Sequence, residues 1–388
     1  ALRAVFKALV SGKQCAVLAP TTILTQQHYH TFRDRFAPYP IRLGLLNRFR
    51  SPQERKELLR QLKCGELDLV IGTHQLLSQE VKFKDLGLLV IDEEQRFGVA
   101  QKEKIKLFKA KVDVLTLTAT PIPRTLALTI YGDLDLSLLD EMPVGRKPVI
   151  TEILGPEKRE NGYARVREEL AKGRQAYVIC PRINEPDPTK ELALQAKSVK
   201  AEAARLKSQV FPHATIDILH SKMKPAEKEA VMDRFARNEI QILVATSVVE
   251  VGVNVPNATV ILIEGAERFG LSQLHQLRGR VIRSTNQAYC FVLPESYGEQ
   301  TKNRLKALVT AKNGFELSEY DLALRGAGEL TGARQWGVSD LAMEAIKNLK
   351  LVEAARSEAK ELIRKDLELT SLPKLQTHLL ERESVHFE

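Results

Sequence analysis

Leu88-Leu89-Val90-Ile91-Asp92-Glu93-Glu94-Gln95 is a short apolar run that delivers carboxylates at its C-terminal end. Aliphatic residues without polar alternation read as a strand buried on both faces, the form found in parallel sheets. Ligands of open parallel sheets bind at the carboxyl ends of the strands, so Asp92 and Glu93 mark that edge as a candidate site. A plain acidic turn after a strand has the same spelling, because Asp and Glu favour such turns.

Outward from this run the same grammar repeats. Strands are predicted at 14–19, 41–46, 67–71, 87–92 and 112–118, alternating with amphipathic segments such as 52–64, which opens with Ser51 as N-cap and Pro52 in the first turn. Pro143, Gly145 and Pro148 break the pattern. Alternation then restarts, with strands predicted near 175–180, 214–219, 240–245, 258–264 and 287–293 and helices near 160–173, 191–208, 225–237 and 271–280. The Pro-rich segment 182–190 reads as a loop. After 294 helical periodicity takes over, broken by a Gly-rich turn at 325–337, and the last fifteen or so residues are polar and expected to fray. The expected organisation is an α/β domain at 1–139, a linker at 140–148, a second α/β domain at 149–296 and a helical extension at 297–388.

A chain of 388 residues with 44% hydrophobic content suits two or three packed domains. Its formal charge of +9 is spread along the chain, compatible with a polyanionic partner and equally with plain solubility. Cys15, Cys64, Cys180 and Cys290 stand far apart without metal spacing, which points to reduced thiols and a cytoplasmic protein. No apolar run reaches membrane-spanning length, and nothing in the pattern calls for an oligomer. His28 and His30 lie two apart on a predicted helix and do not share a face, so a metal pair there is not expected.

Two strand ends and one basic segment carry the chemistry. Asp92 is placed to hold Mg2+ and Glu93 to orient or deprotonate a water. Leu117-Thr118-Ala119-Thr120-Pro121 supplies hydroxyls that can hydrogen-bond the acidic cluster. Gln273 to Arg283 reads as helix, with Arg280 and Arg283 one turn apart on one face, a spacing that can grip phosphate oxygens. A solvated basic face is the alternative reading of that segment.

The order and wording of these segments resemble the superfamily 2 helicases. Pro20-Thr21-Thr22 with Gln26 and Gln27 resembles motif Ia, Gly72-Thr73-His74 motif Ib, Asp92 to Gln95 motif II, and Thr118-Ala119-Thr120 motif III. His220-Ser221 resembles motif IV, Thr246 to Pro256 motif V and Gln276 to Arg283 motif VI. Within that superfamily, the stretches beginning at Thr118, Glu267 and Asp321 resemble the RecG family of branched-DNA translocases. The stretch from Arg48 to Val99 is closer to the transcription-repair coupling factors, a sister family.

This resemblance implies two tandem RecA-like parallel-sheet domains, the first incomplete, and an ATP-dependent helicase or translocase acting on double-stranded or branched DNA in repair and recombination. It implies Asp92 on the Mg2+ of Mg·ATP and Glu93 as base. Gln276, Arg280 and Arg283 would face the γ-phosphate, with Gly252 and Asn254 near the ribose. Thr118 and Thr120 complete the nucleotide site. Pro20, Thr21, Thr22, Gln26, Gly72, Thr73, His74, His220, Ser221 and Thr246 would track one DNA strand, while Arg325, Arg334 and Gln335 would couple domain closure to movement on the duplex. Under the sister reading RNA polymerase is the partner.

Three features depart from the family. Ser11-Gly12-Lys13-Gln14 fails as a phosphate-binding loop, lacking Gly at position 7 and Ser or Thr at position 14 and lying between a helix and a strand. Leu2 to Val10 then corresponds to the helix that normally follows the loop, so the chain as given is expected to bind ATP weakly and hydrolyse it hardly at all. A DNA-binding remnant without ATPase activity is the reading from another class. Asn254 stands where Asp is usual, and Ile282 replaces a Gly.

Overall fold

The structure is a computed structural model, and it describes residues 1–109, 112–119, 135, 137, 139, 145–181, 198–246, 255–282, 284–295, 298–311, 313–325 and 349–380. Two parallel sheets and their helices organise them. The first sheet comprises β1 (Gln14–Leu18), β2 (Leu43–Leu46), β3 (Leu69–Gly72), β4 (Leu86–Asp92) and β5 (Asp113–Leu117), in the order β2-β3-β1-β4-β5. The second comprises β6 (Ile150–Ile153), β7 (Gln175–Ile179), β8 (Ile216–Leu219), β9 (Ile242–Ala245), β10 (Ala258–Glu264) and β11 (Tyr289–Leu293), in the order β6-β11-β10-β7-β9-β8.

The unbroken apolar spelling of the strands follows from double-sided burial. Successive residues of β1 feed two cores: Ala16 and Leu18 pack with Leu62, Val70 and Ile91, whereas Cys15 and Val17 pack with Phe32, Leu69 and Val90. Period-2 alternation therefore exists in space, although both faces are spelled with apolar residues. Of the helices, α1 spans Leu2–Val10, α2 Thr22–Phe36, α3 Pro52–Cys64, α4 Val99–Lys109, α5 Arg159–Ala171, α6 Pro225–Ala236, α7 Leu271–Arg278 and α8 Glu299–Thr310. The start expected for α3 is realised as a capping box, with Ser51 Oγ accepting from Glu54 N and Glu54 Oε2 from Ser51 N.

Read from β8 and from β2, the two sheets share one strand order, with β6 added outside β11. Each is anchored by a buried glutamine at the start of its first central strand. Gln14 Nε2 donates to the carbonyls of Leu62 and Leu67, at 3.0 and 2.7 Å. Gln175 Nε2 does the same to Phe235 and Ile240, at 2.7 and 2.6 Å. Gln14 Oε1 also accepts from the amides of Lys84 and Asp85, whereas Gln175 Oε1 is buried without a partner.

The short edge strand β6 was not predicted. It is four residues long with alternating half-exposure, pairing only with β11 through Ile150↔Tyr289, so it lacks the apolar run that marks the inner strands. Helix α7 ends at Arg278 and a 3-10 turn follows over Gly279–Val281, so the predicted α-helix to 280 is two residues too long. At the far end Pro373–Leu380 is helical where fraying was expected, with Pro at a position that needs no amide donor.

Both sheets fall in one compact unit, Ala1–Thr120 with Pro143–Thr310; a second unit comprises Pro121–Met142 with Ala311–Glu388. The described part of the second unit contains the helices α9 (Gly314–Arg325), α10 (Leu349–Lys365) and α11 (Pro373–Leu380). Among the described residues, no helix is long and apolar enough to cross a membrane. All four cysteines are free.

Candidate functional site

The connection leaving β1 runs toward β2 and the one leaving β4 toward β5, so the C-terminal ends of β1 and β4 flank a topological switch point, the usual ligand crevice of an open sheet. Asp92 ends β4 in register with Leu117 of β5. Beyond it the chain turns through Glu93, a non-glycine residue at φ 54°, whose amide donates to Leu117 O at 2.9 Å. A left-handed glutamate costs roughly 1–2 kcal/mol and persists only where its surroundings fix it. Gln95 Nε2 donates to Glu93 Oε2, and the Arg96 guanidinium lies 3.8 Å from the same oxygen. Thr116 Oγ1 donates to Glu94 Oε2 at 3.0 Å, so a hydroxyl does reach the acidic cluster, from a residue not singled out by the pattern. Thr118 is exposed one residue beyond β5, and Thr120 lies outside the described residues.

Asp92 has a neighbour that the sequence did not announce. His28 Nε2 sits 2.7 Å from Asp92 Oδ2, both side chains being part-buried. A carboxylate can only accept, so Nε2 carries the proton and donates. Asp92 Oδ1 accepts no hydrogen bond among the described residues and is left for another ligand. Among the described residues, no group of three or more His, Cys, Asp or Glu side chains could hold a metal ion. Mg2+ arriving with phosphates needs only one or two carboxylates, and one open carboxylate oxygen at a switch point fits that demand.

The second sheet repeats the local design. Ile91-Asp92-Glu93-Glu94-Gln95-Arg96-Phe97-Gly98 aligns with Ile263-Glu264-Gly265-Ala266-Glu267-Arg268-Phe269-Gly270: a strand end, a left-handed residue, a 3-10 turn, a buried Phe and a helix start. Gly98 N donates to Gln101 Oε1 at 3.0 Å, and Gly270 N to Gln273 Oε1 at 3.2 Å. The chemistry differs. Glu264 is buried, with Oε2 2.9 Å from Arg159 and Oε1 without a partner, and burial pushes its carboxyl up to about 7.

From this second turn α7 emerges, carrying Gln276. Arg96 Nη2 donates to Gln276 Oε1 at 3.4 Å, which joins the turn after β4 to the helix after β10. Arg280 lies on the 3-10 turn after α7 and is 8% exposed. Arg278 is also buried: Nη1 donates to Leu308 O at 2.7 Å and Nη2 to His275 Nδ1 at 3.0 Å. Burial lowers the pKa of Arg278 and drives His275 down to about 4, keeping the imidazole neutral. Arg283, Gly252 and Asn254 lie outside the described residues.

The expected nucleic-acid residues gather at the same sheet edges. Pro20, Thr21 and Thr22 follow β1, beside Gly72, Thr73 and His74 at the end of β3; Leu18 and Gly72 are register partners. Thr21 Oγ1 accepts from Leu24 N at 3.2 Å and so caps α2, and Gln26 Oε1 is buried without a partner. Thr73 is buried and His74 exposed. In the second sheet His220 and Thr246 follow the neighbouring strands β8 and β9, both buried, each with a polar atom lacking a partner. Burial lowers the His220 pKa, helped by Lys200, Lys228 and Lys222. Ser221 O accepts from Lys228 Nζ at 2.7 Å. Arg325 closes α9, while Arg334 and Gln335 are outside the described residues. Ser11-Gly12-Lys13 forms the turn between α1 and β1, and Lys13 pairs with Asp85 at 2.8 Å.

Sequence reasoning missed His28, Arg96 and Thr116. The recurrence of Arg-Phe-Gly at 96–98 and 268–270 was the available signal for Arg96; nothing local flags His28, which meets Asp92 across 64 positions.

Comparison with known proteins gives three family matches: DEAD/DEAH box helicase over residues 1–129, helicase conserved C-terminal domain over 161–285, and ATP-dependent DNA helicase RecG, domain 3, C-terminal, over 311–379. The ATP-dependent DNA helicase RecG of Synechocystis sp. is 42% identical over 380 residues, 98% of this chain and 45% of that protein. The transcription-repair-coupling factor of Bacillus subtilis is 46% identical over 351 residues, 88% of this chain and 28% of that protein. A structure of RecG bound to a three-way DNA junction matches with TM-score 0.72 and 39% identity, over 91% of this chain and 45% of that one. The chain thus spans about half the length, or less, of these relatives.

Proposed function

Because the chain belongs to the RecG family of ATP-dependent DNA helicases, we propose that it is motor machinery of a translocase that remodels branched DNA in repair and recombination. Residues 1–139 and 149–296 act as the two motor lobes, 140–148 as their linker and 297–388 as the coupling extension. The observation that carries this reading is the Arg96–Gln276 contact, because it brings the acidic turn of one sheet against the helix that leads to Arg280.

Mg2+ bound with ATP supplies charge neutralisation and polarisation of the phosphates. Asp92 would hold that ion. Glu93, locked by its backbone and by Gln95, orients the attacking water and accepts its proton. Arg280 and Arg283, with Gln276, meet the charge that builds on the transferring phosphoryl group. Gly252, Asn254, Thr118 and Thr120 complete the nucleotide contacts. Pro20, Thr21, Thr22, Gln26, Gly72, Thr73 and His74 on one lobe and His220, Ser221 and Thr246 on the other track a DNA strand, using strand-end amides and the N-terminus of α2 for phosphates. Arg325, Arg334 and Gln335 couple closure to the duplex. Four free cysteines suit a reducing compartment such as the cytoplasm.

The test is ATP hydrolysis by the intact natural protein with and without a three-way junction. Junction-stimulated hydrolysis that disappears in Asp92→Asn supports the proposal; hydrolysis indifferent to DNA overturns it. A second reading, transcription-repair coupling, is favoured by the 46% identity to that factor. Capture of RNA polymerase by the intact protein would select it.

A further inference from the structure

Helix α2 begins at the Pro20–Thr22 strand end and runs from Thr22 to Phe36. Six residues along it, about 9 Å at 1.5 Å per residue, His28 meets Asp92. One rigid element therefore carries a proposed DNA contact at its first turn and a hydrogen bond to the proposed cation ligand less than two turns later. The bond is short, 2.7 Å, and its partners are 24% and 18% exposed, so water competes weakly for either group. An aspartate carboxylate otherwise rotates broadly about its terminal torsion. A donor fixed on a helix and bound to Oδ2 sets that rotation, and with it the direction in which Oδ1 points.

We propose that His28 is a positioning residue: through it, a DNA strand seated at the N-terminus of α2 acts on the orientation of Asp92 and so couples DNA binding to nucleotide binding. The inference rests on the nucleic-acid-dependent ATPase reading above. Nothing in it depends on a change in the protonation of His28. The imidazole stays a donor throughout, and what changes is where the helix holds it. The helix is suited to this, because its N-terminal cap comes from Thr21, inside the proposed DNA contact, while Leu24, Thr25, Phe32 and Phe36 bury its inner face against the sheet. Displacement of the first turn is thus carried along the axis. A side chain that served only to fill the crevice would affect stability alone. A coupling residue alters the effect of one ligand on the other.

The experiment uses the intact protein and a fluorescent three-way junction, with anisotropy read in the presence and absence of Mg2+ and a non-hydrolysable ATP analogue. In the natural sequence the analogue changes junction affinity by a measurable factor. His28→Ala should collapse that factor about tenfold toward unity, whereas His28→Gln, whose amide still donates, should retain most of it. Thermal unfolding of each variant reports folding, and the ratio of junction-stimulated to basal hydrolysis should fall with the coupling factor. An equal coupling factor in His28→Ala and the natural protein overturns the role of His28 alone. Absence of hydrolysis in the natural protein on every DNA overturns the functional reading instead.

Discussion

The turn after β4 and the turn after β10 share a backbone and differ in what that backbone carries. Both leave a seven-residue strand through a left-handed residue, make one 3-10 turn, bury a Phe and start a helix at Gly. In the second lobe the left-handed position is Gly265, which has no Cβ to strain, and the preceding carboxylate is buried against Arg159. In the first lobe it is Glu93, which bears strain, and the preceding carboxylate keeps an oxygen for a ligand. One architecture thus serves a structural corner in one sheet and a candidate reaction centre in the other. Strain at Glu93 without strain at its counterpart separates the two.

The sharpest way to break the comparison is to neutralise each acid. Glu93→Gln is expected to lower junction-stimulated hydrolysis by about 10²–10⁴-fold, measured under saturating ATP, while Glu264→Gln leaves the rate within a few-fold. Equal losses would mean that the second corner is also catalytic. Next come the anchoring glutamines. Chemical denaturation should show Gln14→Ala costing about 3 kcal/mol and Gln175→Ala about 2 kcal/mol, because Gln14 satisfies four backbone groups and Gln175 two.

Exchanging the left-handed residues is a finer test. Gly265→Ala should destabilise by about 2 kcal/mol, since the new Cβ is strained and meets Pro181 Cγ at 2.8 Å. Glu93→Gly should instead stabilise by about 1 kcal/mol, although the carboxylate is lost. Last is pH. The Glu264 carboxyl is raised from 4.5 to about 7 in the folded protein, so unfolding exposes a stronger acid. Its protonated form favours the fold: the contribution is complete below 4.5, falls away as pH rises toward 7 and is flat above. A loss of roughly 3 kcal/mol across that window, absent in Glu264→Gln, is the expected denaturation result.

Much of this was legible in the amino-acid order. Strand β10 at 258–264 and helix α3 at 52–64 were read from hydrophobic runs and caps because their determinants are local. Asp92 and Glu93 were legible because a strand end is marked by the spelling on either side of it. What escaped was long-range or short. The His28–Asp92 and Arg96–Gln276 contacts span 64 and 180 positions, distances at which periodicity carries no information. Strand β6 has too few apolar residues to announce itself, and the helical spelling through Arg280 concealed the 3-10 ending after Arg278.

The proposal that nucleotide is held between the two sheets is tested most directly by the distance between them. Cys64 is exposed on α3, the other three cysteines of the chain are buried, and Arg237 is exposed in the second lobe. Labels on Cys64 and Arg237→Cys in the intact protein, with other reactive thiols replaced, report separation of the lobes. Addition of junction DNA and the Mg2+-bound ATP analogue should shift that distance to a single shorter value. A distribution unchanged by both ligands would contradict the account.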